Sequence, residues 1–242
     1  MKFFKVCFLL LLSFSSGLYS QIEDRKEVAK RNLDSIPIVV DSLYREDQFY
    51  VGFSFNVLTN KAAAISNSGF SGGIHVGAMR DFPLNKRRNV AIAAGLGWSL
   101  NSYGQNLFIG ETPGGETIFR SLDGRIDYDK NRFTTQLVEV PLEFRWRTST
   151  PTSYKFWRIY TGFRLGYIYY FRSRFVQGDH IVRQTKLPEL ERLRLGTTFT
   201  FGFNTFNFQF YYSLNSLFKN AEVEGSEIGA FPLKIGLTFY IL

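Results

Sequence analysis

The sequence predicts an all-β protein: an eight-stranded antiparallel transmembrane β-barrel with short periplasmic turns and longer extracellular loops. Three observations predict it. From Gln48 onward, large apolar residues alternate with small or polar ones at a period of two, as strands with one apolar and one polar face require. Aromatic residues make up 17% of the chain, including 26 Phe and 13 Tyr, yet the mean hydropathy is only −0.10. Much aromatic surface without long apolar runs points to strands rather than helices. The connections also alternate in length, long after odd strands and short after even ones, which is how outer-membrane barrels are built.

The first element lies outside the barrel. Lys2 and Lys5 precede an apolar run over residues 6–12, and small and polar residues follow through Ser20. This is the layout of a Sec signal peptide, residues 1–20, cleaved before Gln21. The run is too short for a membrane-spanning helix, which needs roughly 20 residues. The only cysteine, Cys7, lies within it, so the mature chain has no disulfide, zinc–thiolate site or cysteine nucleophile to offer. Loss of Lys2 and Lys5 takes two from the net charge of +8. The remaining Lys and Arg are scattered, and export argues against a nucleic-acid partner; anionic headgroups of outer-membrane lipid are the better counter-charge. Residues 21–47 form a charged periplasmic N-terminal segment without strand pattern. Residues 23–33 suit a short helix that Pro37 would stop.

The barrel takes residues 48–242. In the first strand Phe49, Val51, Phe53, Phe55 and Val57 share one face, against Tyr50, Gly52, Ser54 and Asn56. The second sets Ile74, Val76 and Ala78 against Gly73, His75 and Gly77. The third sets Ile92, Ala94, Leu96, Trp98 and Leu100 against Ala91, Ala93, Gly95, Gly97 and Ser99. In the fourth, Val138, Val140, Leu142, Phe144 and Trp146 oppose Glu139, Glu143, Arg145 and Arg147, with Pro141 as a local conflict that predicts an edge or a bulge. The fifth opposes Ile159, Thr161, Phe163, Leu165, Tyr167 and Tyr169 to Tyr160, Gly162, Arg164 and Gly166. The sixth opposes Leu193, Leu195, Thr197, Phe199, Phe201 and Phe203 to Arg194, Gly196, Thr198, Thr200 and Gly202. Phe206, Phe208, Phe210, Tyr212 and Leu214 mark the seventh, and Phe231, Leu233, Ile235, Leu237, Phe239 and Ile241 the eighth. Each strand is expected to run about ten residues, enough to cross a bilayer when tilted. Long connections fall at 59–69, 101–136, 172–191 and 215–227; short ones at 80–89, 147–155 and Asn204–Thr205. An even strand count puts both termini in the periplasm.

Alternation alone also suits a soluble β-sandwich or a lipocalin-like barrel. Volume separates them: the apolar faces carry far more large side chains than an eight-stranded barrel can enclose. The apolar side therefore faces lipid, and the Gly-, Ser-, Thr- and Asn-rich side lines a narrow lumen. Phe49, Trp98, Trp146, Trp157 and Tyr169 near strand ends fit interfacial girdles.

Candidate chemistry is sparse. His75 and His180 have no partner at ligand spacing. Asp127, Asp129 and Asn131 imitate the start of an EF-hand loop, but Arg132 stands where glycine is needed and Val138 where glutamate is. Gly114 and Gly115 make a turn with no helix after it. A lipid-acting barrel enzyme would need a polar triad at one rim, and none is legible. The reading is therefore non-enzymatic, with no catalytic residue, metal site or cofactor. The charges that do stand out are Glu139, Glu143, Arg145, Arg164, Arg194 and Lys234, all on lumen faces. Buried charges persist only when paired, so these six predict an ion network that plugs the barrel.

Two resemblances add partners. Lys234, Gly236, Phe239 and Ile241, spaced polar–x–Gly–x–x–aromatic–x–apolar in the last strand, resemble the signal read by the outer-membrane barrel assembly machinery. Residues 41–58, Asp-Ser-Leu-Tyr-Arg-Glu-Asp-Gln-Phe-Tyr-Val-Gly-Phe-Ser-Phe-Asn-Val-Leu, resemble the start of the barrel in the PorT family of Bacteroidetes outer-membrane proteins. That resemblance implies a non-enzymatic component of the type IX secretion system, which also serves gliding motility in some relatives, and partners among the other secretion proteins. The alternative is a general small barrel with an envelope-structural or adhesive role.

Overall fold

A computed structural model describes residues 47–122, 126–149 and 155–241. The expected signal peptide and, apart from Asp47, the expected periplasmic segment lie outside these residues. The described chain forms β1 (Gln48–Thr59), β2 (Gly72–Pro83), β3 (Val90–Gly104), β4 (Leu107–Glu111), β5 (Thr117–Ser121), β6 (Lys130–Arg147), β7 (Trp157–Gln177), β8 (His180–Gln184), β9 (Leu193–Phe203), β10 (Phe206–Ser213), β11 (Glu222–Val223), β12 (Ser226–Glu227) and β13 (Phe231–Ile241).

Eight of these, β1, β2, β3, β6, β7, β9, β10 and β13, make a closed antiparallel barrel. Each pairs with the next in that order, and β13 returns to β1 with Phe49 opposite Ile241 and Thr59 opposite Phe231. Period-two patterning becomes two environments. Phe53, Phe163, Leu165 and Phe208 are each more than half exposed on the outside, whereas Tyr50, Ala93, Tyr160, Thr238 and Tyr240 are buried within. Closure leaves no sheet edge for the ladder hydrogen bonds to lack partners, which hydrocarbon would penalise.

Strand length departs from the uniform ten residues expected. The barrel strands range from 8 residues in β10 to 21 in β7, with 18 in β6. Crossing a bilayer takes about 9–11 residues, so β3, β6 and β7 rise well past the apolar belt at the end carrying the long loops. Pro141 sits at neither an edge nor a bulge. It pairs with Arg164 on β7, while the ladder to β3 skips the stretch opposite Gly95 and Leu96. The missing proline N–H is thus accommodated by a local gap on one side of an interior strand. The bulge is elsewhere: Gln136 lies opposite Tyr170 and Leu137 opposite Ile168, leaving Tyr169 as the extra residue. Below it the even-numbered residues of β7 point inward, as at Arg158, Tyr160 and Arg164. Above it the odd-numbered ones do, as at Phe171, Ser173 and Phe175.

The long connections, 60–71, 105–129, 178–192 and 214–230, contain the hairpins β4–β5 and β11–β12 and the strand β8. They pack together into a head. Leu107, Ile109, Leu187, Leu190, Leu217, Phe218 and Ile228 from the loops join Tyr103, Phe133, Ile168 and Phe171 from the barrel wall in one buried apolar cluster. Polar ties cross between loops: Asn106 Nδ2 donates to Ala64 O (2.9 Å), Thr117 Oγ1 to Glu189 Oε2 (2.9 Å), and Lys219 N to Glu189 O (2.8 Å).

Candidate functional site

The six expected lumen charges do not form one network. Face assignment put them on the same side of the wall, but strand register sets their height, and the structure divides them. Toward the short-turn end, Arg145 Nε donates to Glu143 Oε2 (3.1 Å) and its Nη1 to Asp81 Oδ1 (3.4 Å). Arg147 Nη2 donates to Asp81 Oδ2 (2.7 Å) and to Arg88 O (2.8 Å). Arg145 also stacks its guanidinium 4.7 Å over the Tyr160 ring, and Arg158 lies 4.2 Å over Phe156. Asp81, Arg145 and Arg147 are wholly inaccessible.

Higher in the lumen, Arg164 Nη1 donates to Glu139 Oε2 (3.3 Å), and Ser99 Oγ donates to Glu139 Oε1 (3.0 Å). Arg194 and Lys234 join no ion pair among the described residues. Arg194 reaches upward and donates to Ser216 O (2.5 Å), Asn215 O (2.7 Å) and Ser213 Oγ, fastening the base of the 214–230 loop. The half-buried Lys234 lays its Nζ 4.7 Å over the Tyr211 ring. Sequence reasoning missed Asp81, because 80–89 was read as a connection. Extending the β2 alternation through Met79 and Asp81, with Arg80 and Phe82 outward, would have found it.

Glycines on the lumen face make room for rings. A Cβ at Gly97 would lie 2.2 Å from the Tyr50 hydroxyl, and one at Gly196 would lie 2.3 Å from the Tyr211 ring. Tyr50 of β1 thus lies over Gly97 of β3, two strands along the wall, and Tyr211 of β10 over Gly196 of the neighbouring β9, and together with the arginines these rings fill the interior. His75 is buried with Nε2 3.0 Å from Thr238 Oγ1, and His180 is exposed at the start of β8. The EF-hand-like trio ties the loop: Asp127 O accepts from Gln177 Nε2 (2.8 Å), Asp129 Oδ2 from Gly178 N (2.9 Å), and Asn131 Nδ2 donates to Gln105 O (2.8 Å). Among the described residues no three His, Cys, Asp or Glu side chains converge. In β13, Lys234 and Gly236 face inward and Phe239 and Ile241 outward, with Gly236 between Ser54 of β1 and Gln209 of β10.

On the outside, Trp98 Nε1 donates to Tyr169 Oη (2.7 Å), which donates to Gln136 Oε1 (2.7 Å). This hydrogen-bonded line marks where the apolar belt ends on β3, β6 and β7.

A closed eight-strand wall with an apolar exterior and a packed polar interior is the architecture of small outer-membrane barrels. Residues 19–219 match the family described as outer membrane protein beta-barrel domain. The chain belongs to that family. As one of these outer-membrane barrels, it crosses the membrane with the eight strands described above. No curated protein matches the chain. Two crystal structures of Ail, the attachment invasion locus protein of Yersinia pestis, are similar. One has 11% identity and a TM-score of 0.35, covering 82% of this chain and 100% of Ail. The other, of Ail with the heparin analogue sucrose octasulfate, has 11% identity and a TM-score of 0.33 over the same shares.

Proposed function

We propose that this barrel is a non-enzymatic component of the type IX secretion system that works by binding other proteins rather than by conducting solute. The observation that carries the non-conducting part is the filled lumen, where wholly buried Arg145, Arg147 and Tyr160 stand across the interior among paired carboxylates. A water-filled path would need those side chains removed. The secretion role rests on the PorT-like residues 41–58. In this reading a Sec signal delivers the chain, the barrel assembly machinery reads Lys234, Gly236, Phe239 and Ile241, and the short turns and both termini face the periplasm. The head then faces outward. Contacts with other secretion proteins run through residues 21–47 and the loops. Deleting the gene and measuring export of type IX cargo tests this: cargo should stay in the periplasm, and normal export would overturn the role.

A second reading, an envelope-structural or adhesive barrel, is favoured by the head itself. Four loops tied into one apolar core form a stiff surface, and rigid surfaces bind at low entropic cost. Loss of adhesion with intact cargo export in the deletion strain would favour it.

A further inference from the structure

Above the Trp98–Tyr169–Gln136 line, the outer wall changes character. The Tyr169 bulge turns Arg172 and Arg174 of β7 outward, where they meet the outward residues of β6: Thr134 lies opposite Arg172 and Arg132 opposite Arg174. On the far side of β7, Arg183 of β8 lies opposite Arg174. Arg132, Arg174 and Arg183 thus form a row of three directly opposed cations across three strands, with Arg172 one step below and Lys130 one step above on β6. Like charges directly opposite one another destabilise a sheet.

None of these five cations has a hydrogen-bond or ion-pair partner among the described residues. The Nε atoms of Arg132 and Arg174 are buried against the wall without an acceptor. Two carboxylates beside the row have donors of their own: Asp129, next to Lys130, accepts from Gly178 N (2.9 Å), and Glu111 Oε2 accepts from Nε2 of Gln184, next to Arg183 (2.6 Å). Lys130, Arg132, Thr134, Gln136, Tyr170, Arg172 and Arg174 line an outward groove of about 330 Å³ floored by Leu100. The groove therefore has an apolar lower lip beside the belt, an aromatic ring at the interface, and guanidinium groups at headgroup height.

We propose that this groove binds the phosphate of a lipid headgroup in the leaflet at the long-loop end, which the orientation proposed above makes the outer leaflet. A phosphate between the strands would give Arg132, Arg172 and Arg174 charge-assisted, fork-shaped hydrogen bonds and relieve the repulsion within the row. The acyl chains would lie on the belt below. The site is independent of any role in secretion.

The test uses the full-length protein in phosphatidylcholine nanodiscs carrying a trace of bisphosphorylated lipid A, with the lipid retained per barrel counted by mass spectrometry. Wild type should retain it, and Arg132→Gln/Arg172→Gln/Arg174→Gln should lose retention by about tenfold or more, the scale of one charge-assisted hydrogen bond. Lys86→Gln/Arg87→Gln, which removes charge at the opposite end, should retain it unchanged. Dephosphorylated lipid A should not be retained, and millimolar inorganic phosphate should not displace the bound lipid. Heat-modifiable migration checks folding, and the single variant Arg172→Gln replaces the triple variant if that does not fold. Equal retention by the arginine variants, or retention of the dephosphorylated lipid, would overturn the proposal. Displacement by inorganic phosphate would overturn the lipid source in favour of a free anion.

Discussion

Replacing Glu139 by alanine removes the only carboxylate that, among the described residues, pairs with Arg164. At 3.3 Å and an effective dielectric of about 20, the two charges attract by about 5 kcal/mol. Breaking a buried pair while leaving one partner behind costs about 3–5 kcal/mol in practice, and Ser99 Oγ also loses its acceptor at 3.0 Å. A loss of about 4 kcal/mol, with a denaturant slope of roughly 2 kcal/mol/M, lowers a urea midpoint by about 2 M. The assay is urea unfolding in lipid, followed by the folded band on an unboiled gel. Glu139→Gln keeps an acceptor for Ser99 and should fall between wild type and alanine. Glu139→Leu/Arg164→Leu removes both charges and should recover most of the loss, because an apolar pair leaves nothing uncompensated. A midpoint shift under about 0.5 M for Glu139→Ala, or a double variant no better than the single, would refute the claim that this pair holds the walls together.

Further outcomes follow from other parts of the molecule. Gly97→Val places a branched side chain where the Tyr50 hydroxyl lies 2.2 Å from the Cβ position; overpacking of about 1–3 kcal/mol should show as a smaller folded fraction on the same gel. Phe218→Ala empties the centre of the head, where Phe218 packs against Phe119 and Phe133, at a cost of about 3–5 kcal/mol. Protease should then cut the 105–129 and 214–230 loops while the barrel keeps its heat-modifiable band; protection equal to wild type would contradict the packed head. Trp98→Phe loses one hydrogen bond to Tyr169 (2.7 Å) and should cost only about 1 kcal/mol in the urea assay. Wild-type protein in a planar bilayer should pass no steady current, and a stable open level would contradict the filled lumen.

The barrel was legible because lipid and lumen impose opposite demands on alternate residues, so every strand long enough to cross writes its own pattern. Strand ends were less legible. Above the belt, the outward residues of β6 and β7 are Lys130, Arg132, Arg172 and Arg174 rather than Phe or Leu, so the alternation continues in residues that read as loop. The bulge at Tyr169 adds a phase change that no local pattern announces. The head was not foreseen, since β4, β5, β8, β11 and β12 are at most 5 residues long and their core forms between loops distant in sequence. For the lumen charges, the residue faces were readable but the pairing was not. Arg194 and Arg164 both point inward, yet one fastens a loop and the other neutralises Glu139. Which residues meet depends on the stagger between strands, and that is a property of the closed sheet.

The seam between β1 and β13 has a consequence for how such a chain comes into being. Every other wall contact joins strands that are neighbours in the barrel sequence, but this one spans nearly the whole described chain, from Phe49 to Ile241. The loop-closure entropy of that contact has to be met before its reward arrives, and meanwhile β1 and β13 each present an open ladder to any strand that passes. The cylinder is thus a late event that depends on the last strand, and shortening β13 by a few residues would harm yield far more than it harms the finished wall. Molecules of this design need custody in transit, with the time spent unsealed as their main hazard.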